Sequence, residues 1–358
     1  MSSSPLFTPV RVGRSTLPNR MVMAPMTRSR ADEAGIPGDL TASYYAQRAA
    51  AGLIISEGVF PTAMGKGYVR TPGIATDAQV AGWKQVTDAV HARGGRIFMQ
   101  LMHCGRVSHP SLLPGGAVPV APSAIRPKGQ TWTDSGLQDM VTPQALSLAG
   151  IAQVVDDYRQ ATHRALAAGF DGVELHAASG YLPEQFLSSG SNHRTDDYGG
   201  SVANRSRFVI EVLQAMVAEA GGERVGIKIS PEMGYNDIVD AAPQETYADL
   251  VERMRGLGLA YLHVALFGTP VDYHALLRPR FDGAYLAGGG LDQARAETLL
   301  SAGRADAAVF GSAFLANPDL PERFRRGATL NAPDKATFFT PGAQGYTDYA
   351  TLDAAAVA

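Results

Sequence analysis

A histidine, a serine and a tyrosine fall close together in His176-Ala-Ala-Ser179-Gly-Tyr181. An imidazole and a hydroxyl aimed at one point can hydrogen-bond a carbonyl oxygen, and the phenol beyond them can deliver a proton. Gln100 can both donate and accept, which suits the edge of a flat heterocycle, although buried glutamines also bridge loops. Lys228, in Gly226-Ile-Lys-Ile-Ser230, sets an amine among apolar neighbours, where desolvation equips it to form a Schiff base. Glu57 and Asp171 read as capping or loop-tying carboxylates without chemistry.

These residues need a frame that aims them at one place. Short apolar runs of strand length alternate with longer stretches of helical period, the pattern of a parallel sheet built from strand–helix units. Strands are expected at 21–25, 53–59, 96–102, 172–176, 225–230, 261–265, 284–288 and 307–310. Helices are expected near 39–51, 79–93, 147–168, 204–220, 243–257, 291–302 and 318–325, with none after the sixth strand. In the third, Leu148, Ile151, Val155, Tyr158, Thr162 and Ala165 recur at intervals of three and four and give one buried stripe.

Such an alternation closes into an α/β fold, a single (β/α)8 TIM barrel over residues 1–358. A bare barrel takes about 250 residues, so roughly 100 remain for loops. They fall mainly in 104–146, which carries six prolines, and in 180–203. Both excursions follow a strand and precede a helix, on the face where barrel enzymes keep their active sites. Thr27, Gly58, Gln100, His176, Ser179, Tyr181 and Lys228 then share one mouth. Gly288-Gly-Gly290 suits a tight strand-to-helix turn; paired with Gly311-Ser312 after the eighth strand, it also offers freed N–H groups to a phosphate.

Composition removes other answers. With 31 Lys+Arg against 34 Asp+Glu, the chain lacks the basic excess of nucleic-acid or anionic-membrane binders. One cysteine makes neither an internal disulfide nor a thiolate metal site. The start, Met1 to Pro9, has no signal-peptide pattern, and no apolar stretch approaches the roughly 20 residues of a membrane span. A cytoplasmic protein, monomeric or homodimeric, acting on a small molecule is expected, with no nucleic acid and no membrane as partner. The P-loop, zinc-protease, nucleophile-elbow and dinucleotide-fold motifs are all missing.

Several segments in order carry a resemblance: Asn19-Arg-Met-Val-Met-Ala-Pro-Met-Thr-Arg28, Ile55-Ser-Glu-Gly58, Gln100-Leu-Met-His-Cys-Gly-Arg-Val-Ser-His109, Gly169-Phe-Asp-Gly-Val-Glu-Leu-His176, Arg194-Thr-Asp-Asp-Tyr-Gly-Gly-Ser201, Asn317-Pro-Asp-Leu-Pro321 and Gly345-Tyr-Thr-Asp-Tyr349. Over nearly its whole length the chain resembles the old yellow enzyme family of FMN-dependent ene-reductases. The resemblance implies an enzyme in which NAD(P)H reduces bound FMN, hydride passes to the β-carbon of an activated alkene, and Tyr181 protonates the α-carbon. It implies that His176 and Ser179 hold the substrate's electron-withdrawing group and that Tyr68, Met102 and Tyr346 line its pocket. Pro25, Thr27, Gly58, Gln100, Lys228, Gly289, Gly290, Gly311 and Ser312 would hold the cofactor, Thr27 at the flavin C4 carbonyl and Gln100 at its pyrimidine edge.

The chain departs from the family at several of these positions. The usual Asn or His partner of His176 is Ser179, with a shorter arm. Lys228 stands for the arginine near the flavin N1 and C2 carbonyl, Ser312 for the phosphate arginine, and Met102 for a tryptophan. The usual Asn-Gly-Gly-Tyr turn reads Gly288-Gly-Gly-Leu291. A charge-assisted hydrogen bond is worth about 1.5–3 kcal/mol, so loss of the phosphate arginine weakens FMN roughly 10- to 100-fold. A second reading is therefore a redox-neutral isomerase or cyclase that has weakened or lost FMN. There His176, Ser179 and Tyr181 polarise a carbonyl or Lys228 forms a Schiff base.

Overall fold

The computed structural model describes residues 4–352. Eight parallel strands, Met21–Met23, Leu53–Val59, Ile97–Leu101, Gly172–Ala177, Val225–Ile229, Tyr261–Ala265, Ala284–Gly288 and Ala307–Phe310, form a closed barrel. Closure is direct: Phe310 of the eighth strand pairs with Met23 of the first. The strands are apolar runs because the barrel buries both of their faces; all seven residues of Leu53–Val59 are buried.

The inside is filled by interlocking large and small side chains, as a barrel interior requires. Tyr261 lies against Gly226, where a Cβ would come within 2.3 Å of its ring, and Phe98 lies against Gly172 at 2.5 Å. Val22, Leu53, Ile55, Leu286 and Val309 complete this cluster with Val12 and Leu17. The last two belong to a hairpin, Val10–Val12 with Ser15–Leu17, which closes the barrel floor. Its turn residue Gly13 has φ 53° and fits under the Glu223 carbonyl, 2.1 Å from where a Cβ would sit, so only glycine serves.

Several outer helices begin on polar caps: Thr76 with Gln79 in a capping box before Asp77–His91, Ser147 before Leu148–Ala167 and Ser201 before Val202–Ala220. Leu148–Ala167 buries Ile151, Val154, Tyr158, Ala161, Thr162 and Ala165. The expected stripe is corrected at two places: Leu148, in the first turn, is exposed, and Val155 is only half-buried. After the sixth strand, where no helix is expected, a five-residue helix, Tyr273–Leu277, forms on an Asp272 cap.

Both loop excursions rise over the carboxyl ends of the strands. Segment 104–146 carries a hairpin, Gln130–Thr133 with Gly136–Asp139, and segment 180–203 carries the helix Leu182–Leu187. The chain after the eighth strand returns as a strap tied to the barrel by arginines. Arg28 donates to the Gly345 carbonyl at 2.7 Å, Arg30 to those of Gly342 and Gln344 at 2.9 Å each, and Arg48 to that of Leu315 at 2.7 Å. The planar fork of several donors suits this carbonyl bridging where a lysine would not. Among the described residues no helix is long and apolar enough to cross a membrane.

Candidate active site

Strand register builds the floor of the mouth. Glu174 pairs with Gln100 and Gly226, while His176 pairs with Lys228, which pairs in turn with His263. Residues in register on parallel strands point the same way, and Gly226 is in register with the interior Tyr261. All five polar side chains therefore face inward.

Gln100 Nε2 donates to Glu174 Oε1 at 2.7 Å, and Glu174 Oε2 lies 3.2 Å from His263 Nδ1. With its amide N–H2 turned to Glu174, Gln100 keeps its carbonyl oxygen as an acceptor for a ligand donor. Lys228 is half-buried and makes no hydrogen bond or ion pair within the described residues. Burial lowers the Lys228 amine from its ordinary range, against the pull of Glu174 and Glu184.

His176 is buried, and its Nδ1 has no hydrogen-bond partner. Burial first, then the charges of Lys228 and His263, hold its pKa well below the usual value, so the imidazole is neutral and can present one N–H donor. Tyr181 stands edge-on to it, ring centroids 4.8 Å apart at 78°, and its hydroxyl lies 3.0 Å from that of Tyr68. Burial, reinforced by Tyr68, pushes the Tyr181 phenol well above its usual pKa, which keeps its proton in place for delivery. Met102, Cys104, Val107 and Met140 wall this pair. Met102 lies over Gly58, where a Cβ would come within 2.5 Å of its thioether, at a register irregularity of the second strand.

On the other side of the mouth, Pro25 and Thr27 are half-buried just past the first strand, and the Thr27 side chain has no hydrogen-bond partner within the described residues. The adjacent Arg28 N–H donates to Glu57 Oε2 at 3.2 Å, and Asp171 accepts from the Ile97 N–H at 2.9 Å, the loop-tying work read for both acids. Past the seventh strand Gly289 and Gly290 have φ 106° and 67°, and nothing lies within 4 Å of the point where a Cβ on Gly290 would sit. Gly311 caps the short helix Ser312–Ala316 after the adjoining eighth strand, and Ser312 is exposed.

Two expected site residues stand differently. Tyr346 does not line the mouth: it is fully buried, stacked on Tyr44 at 4.1 Å and capped by the Arg30 guanidinium at 4.4 Å. The exposed aromatic of its strap is Phe339. Ser179 is at the mouth, but its hydroxyl is turned to Met233 Sδ at 3.8 Å.

Sequence reasoning passed over Glu174, His263 and Arg295. The signal for the first two was a charged or polar residue at alternate positions of a wholly buried strand. Arg295 donates to the Gly290 carbonyl at 3.3 Å and brings a cation to the glycine turn that Ser312 leaves without one. Among the described residues no cluster of three or more His, Cys, Asp or Glu could hold a metal.

The profile of the NADH:flavin oxidoreductase / NADH oxidase family matches residues 5–331. The chain is 41% identical over 360 residues to 12-oxophytodienoate reductase 1 of Oryza sativa subsp. japonica, covering 98% of this chain and 93% of the relative. It superposes on morphinone reductase in complex with tetrahydroNAD with a TM-score of 0.94 at 49% identity, over 97% of this chain and 98% of that one. The old yellow enzyme homologue from Zymomonas mobilis superposes with a TM-score of 0.94 at 39% identity, over 97% and 99%.

Proposed function

The chain belongs to the NADH:flavin oxidoreductase / NADH oxidase family, the old yellow enzymes, and from that premise we propose how its residues divide the work. It is an NAD(P)H-dependent flavin oxidoreductase that uses FMN to reduce activated C=C bonds. When bound, FMN supplies hydride relay between NAD(P)H and the alkene.

The residues present fit that group. The acceptor oxygen of Gln100, the unpaired amine of Lys228 and the free hydroxyl of Thr27 suit a ring with donors and acceptors along its edge. The open space at Gly290, beside Gly311 and Ser312, suits a phosphate. We assign Pro25, Thr27, Gly58, Gln100, Lys228, Gly289, Gly290, Gly311 and Ser312 to the cofactor.

His176 donates its N–H to the carbonyl of an enone-type substrate and so draws electrons from the alkene. Ser179, turned toward Met233, adds less. Tyr181 gives its proton to the α-carbon, and Tyr68 and Met102 shape the space around it. The observation that carries this reading is the buried Tyr181 phenol, set edge-on to His176 with ring centroids 4.8 Å apart and its hydroxyl 3.0 Å from that of Tyr68.

The experiment is Tyr181→Phe in stopped flow. General acid catalysis contributes about 100-fold or more, so reduction of an enone by the pre-reduced enzyme slows by that order while reduction of the enzyme by NAD(P)H stays near the native rate. Equal losses in both half-reactions contradict the assignment. The redox-neutral reading, with Lys228 as a Schiff-base residue, has no support among the relatives, whose names are those of reductases. We further propose a cytoplasmic monomer or homodimer that acts on a small molecule and takes no nucleic acid as partner, the last supported by the near balance of 31 basic and 34 acidic residues.

A further inference from the structure

The two residues before Tyr181 both have left-handed backbone, Ser179 at φ 58° and Gly180 at φ 77°. For serine that conformation is unfavourable by itself, so the turn has to be held from outside. Each of its peptide polar groups meets a side chain. The Ser179 N–H donates to Ser230 Oγ at 2.9 Å, and the Ser179 carbonyl accepts from Asn236 Nδ2 at 2.8 Å. The Gly180 carbonyl accepts from Gln185 Nε2 at 2.8 Å, and the Gly180 N–H donates to Glu184 Oε2 at 2.6 Å. Three of these partners are neutral and one ionises.

Glu184 is buried in the first turn of Leu182–Leu187, and its Oε1 accepts from the Tyr247 hydroxyl at 2.5 Å. Tyr247 stands on the helix Pro243–Arg253, so the carboxyl bridges two helices to the turn. The acid also lines a cavity of about 250 Å³ together with Glu232, Met233 and Asp240.

We propose that Glu184 is a positioning residue for proton delivery: braced by Tyr247, its carboxylate clamps the Gly180 N–H and holds the left-handed turn that aims Tyr181. This rests on Tyr181 being the proton donor. The groups facing the carboxyl are Tyr247 on its helix, Lys228 on the fifth strand, and Asp240 and Glu232 across the cavity. Burial is the largest influence and raises the acid to about 7, with Tyr247, the Gly180 N–H and Lys228 pulling it down. The ionised form accepts two charge-assisted bonds. The protonated form gives its own proton to the Tyr247 oxygen and leaves Gly180 a neutral acceptor. Charge-assisted bonds are roughly twice as strong as neutral ones, so the turn is held more firmly above that pH.

The test is the rate of enone reduction by FMN-loaded, pre-reduced protein from about pH 5.5 to about pH 8.5. In the native protein the rate rises about 3- to 10-fold through an inflection near 7, the strength difference of one such bond. Glu184→Gln keeps an acceptor and a donor but cannot ionise, and its profile stays flat at the low-pH level. Tyr247→Phe removes a partner that favours the ionised acid, and its inflection moves to higher pH. Reduction by NAD(P)H, which draws no proton from Tyr181, stays near native in both variants and shows that they are folded. A native inflection in Glu184→Gln, or an unmoved one in Tyr247→Phe, overturns the clamp. A native rate in Tyr181→Phe overturns the proton-donor reading beneath it.

Discussion

Lys228 is the residue on which the handling of FMN turns. It carries one point charge where the family has an arginine fork, and within the described residues it makes no hydrogen bond or ion pair, only longer-range attraction to Glu174 and Glu184. Losing a charge-assisted bond is worth about 1.5–3 kcal/mol, so Lys228→Met weakens FMN roughly 10- to 100-fold, and Lys228→Arg binds it at least as tightly as the native protein. Quenching of flavin fluorescence on titration of apoprotein gives both dissociation constants, and an unchanged constant in Lys228→Met removes the residue from the cofactor site. At this scale the sequence was legible where a residue type announced itself: His176, Tyr181 and Lys228 share the mouth as their strand ends imply. Glu174 and His263 were hidden in runs that read as apolar strands. The direction of the Ser179 hydroxyl and the burial of Tyr346 depend on neighbours distant in the chain, Met233 and Tyr44, which no local pattern names.

The second strand shows how an element is tied to its neighbours. Inside it, Glu57 accepts from the Arg28 N–H past the first strand, while its own N–H donates to the Tyr45 hydroxyl of the helix Asp39–Gln47 at 2.8 Å. Burial raises the Glu57 carboxyl from its ordinary 4.5 to about 7. The folded state then binds more protons than the unfolded state between those values. The stability this acid contributes is fully present below about 4.5 and is lost as pH rises through about 7. The shift corresponds to roughly 2–4 kcal/mol. Glu57→Gln keeps the acceptor and drops the titration, so urea unfolding finds the variant gaining on the native protein by that order between about pH 5 and about pH 8. Parallel stabilities across that range contradict it. The strands were legible because full burial leaves continuous apolar runs; 53–59, 261–265, 284–288 and 307–310 stand as expected. The helix Tyr273–Leu277 is too short for a helical period to show. The hairpin at 130–139 presents Trp132 and Leu137 to solvent and buries Thr131 and Thr133 instead, so it has no apolar buried face to mark it.

Across the whole molecule, floor, barrel and strap serve one opening. The hairpin at Val10–Val12 and Ser15–Leu17 shuts the lower end, and the excess residues expected over a bare barrel rise as loops above the upper one. The preponderance of arginine, with only five lysines in the chain, has a structural use in the strap, where guanidinium groups bridge carbonyls. We take 1–358 as one domain; residues 1–3 and 353–358 lie outside the described residues. The central claim is that this opening holds FMN and passes reducing equivalents from NAD(P)H to an activated alkene. The visible absorption spectrum of the purified protein, followed anaerobically, tests it most directly. The flavin bands are present or appear on adding FMN, bleach with NAD(P)H, and return in full with one equivalent of an enone. A protein that stays colourless with added FMN, or one whose bleached form does not respond to an enone, contradicts the account.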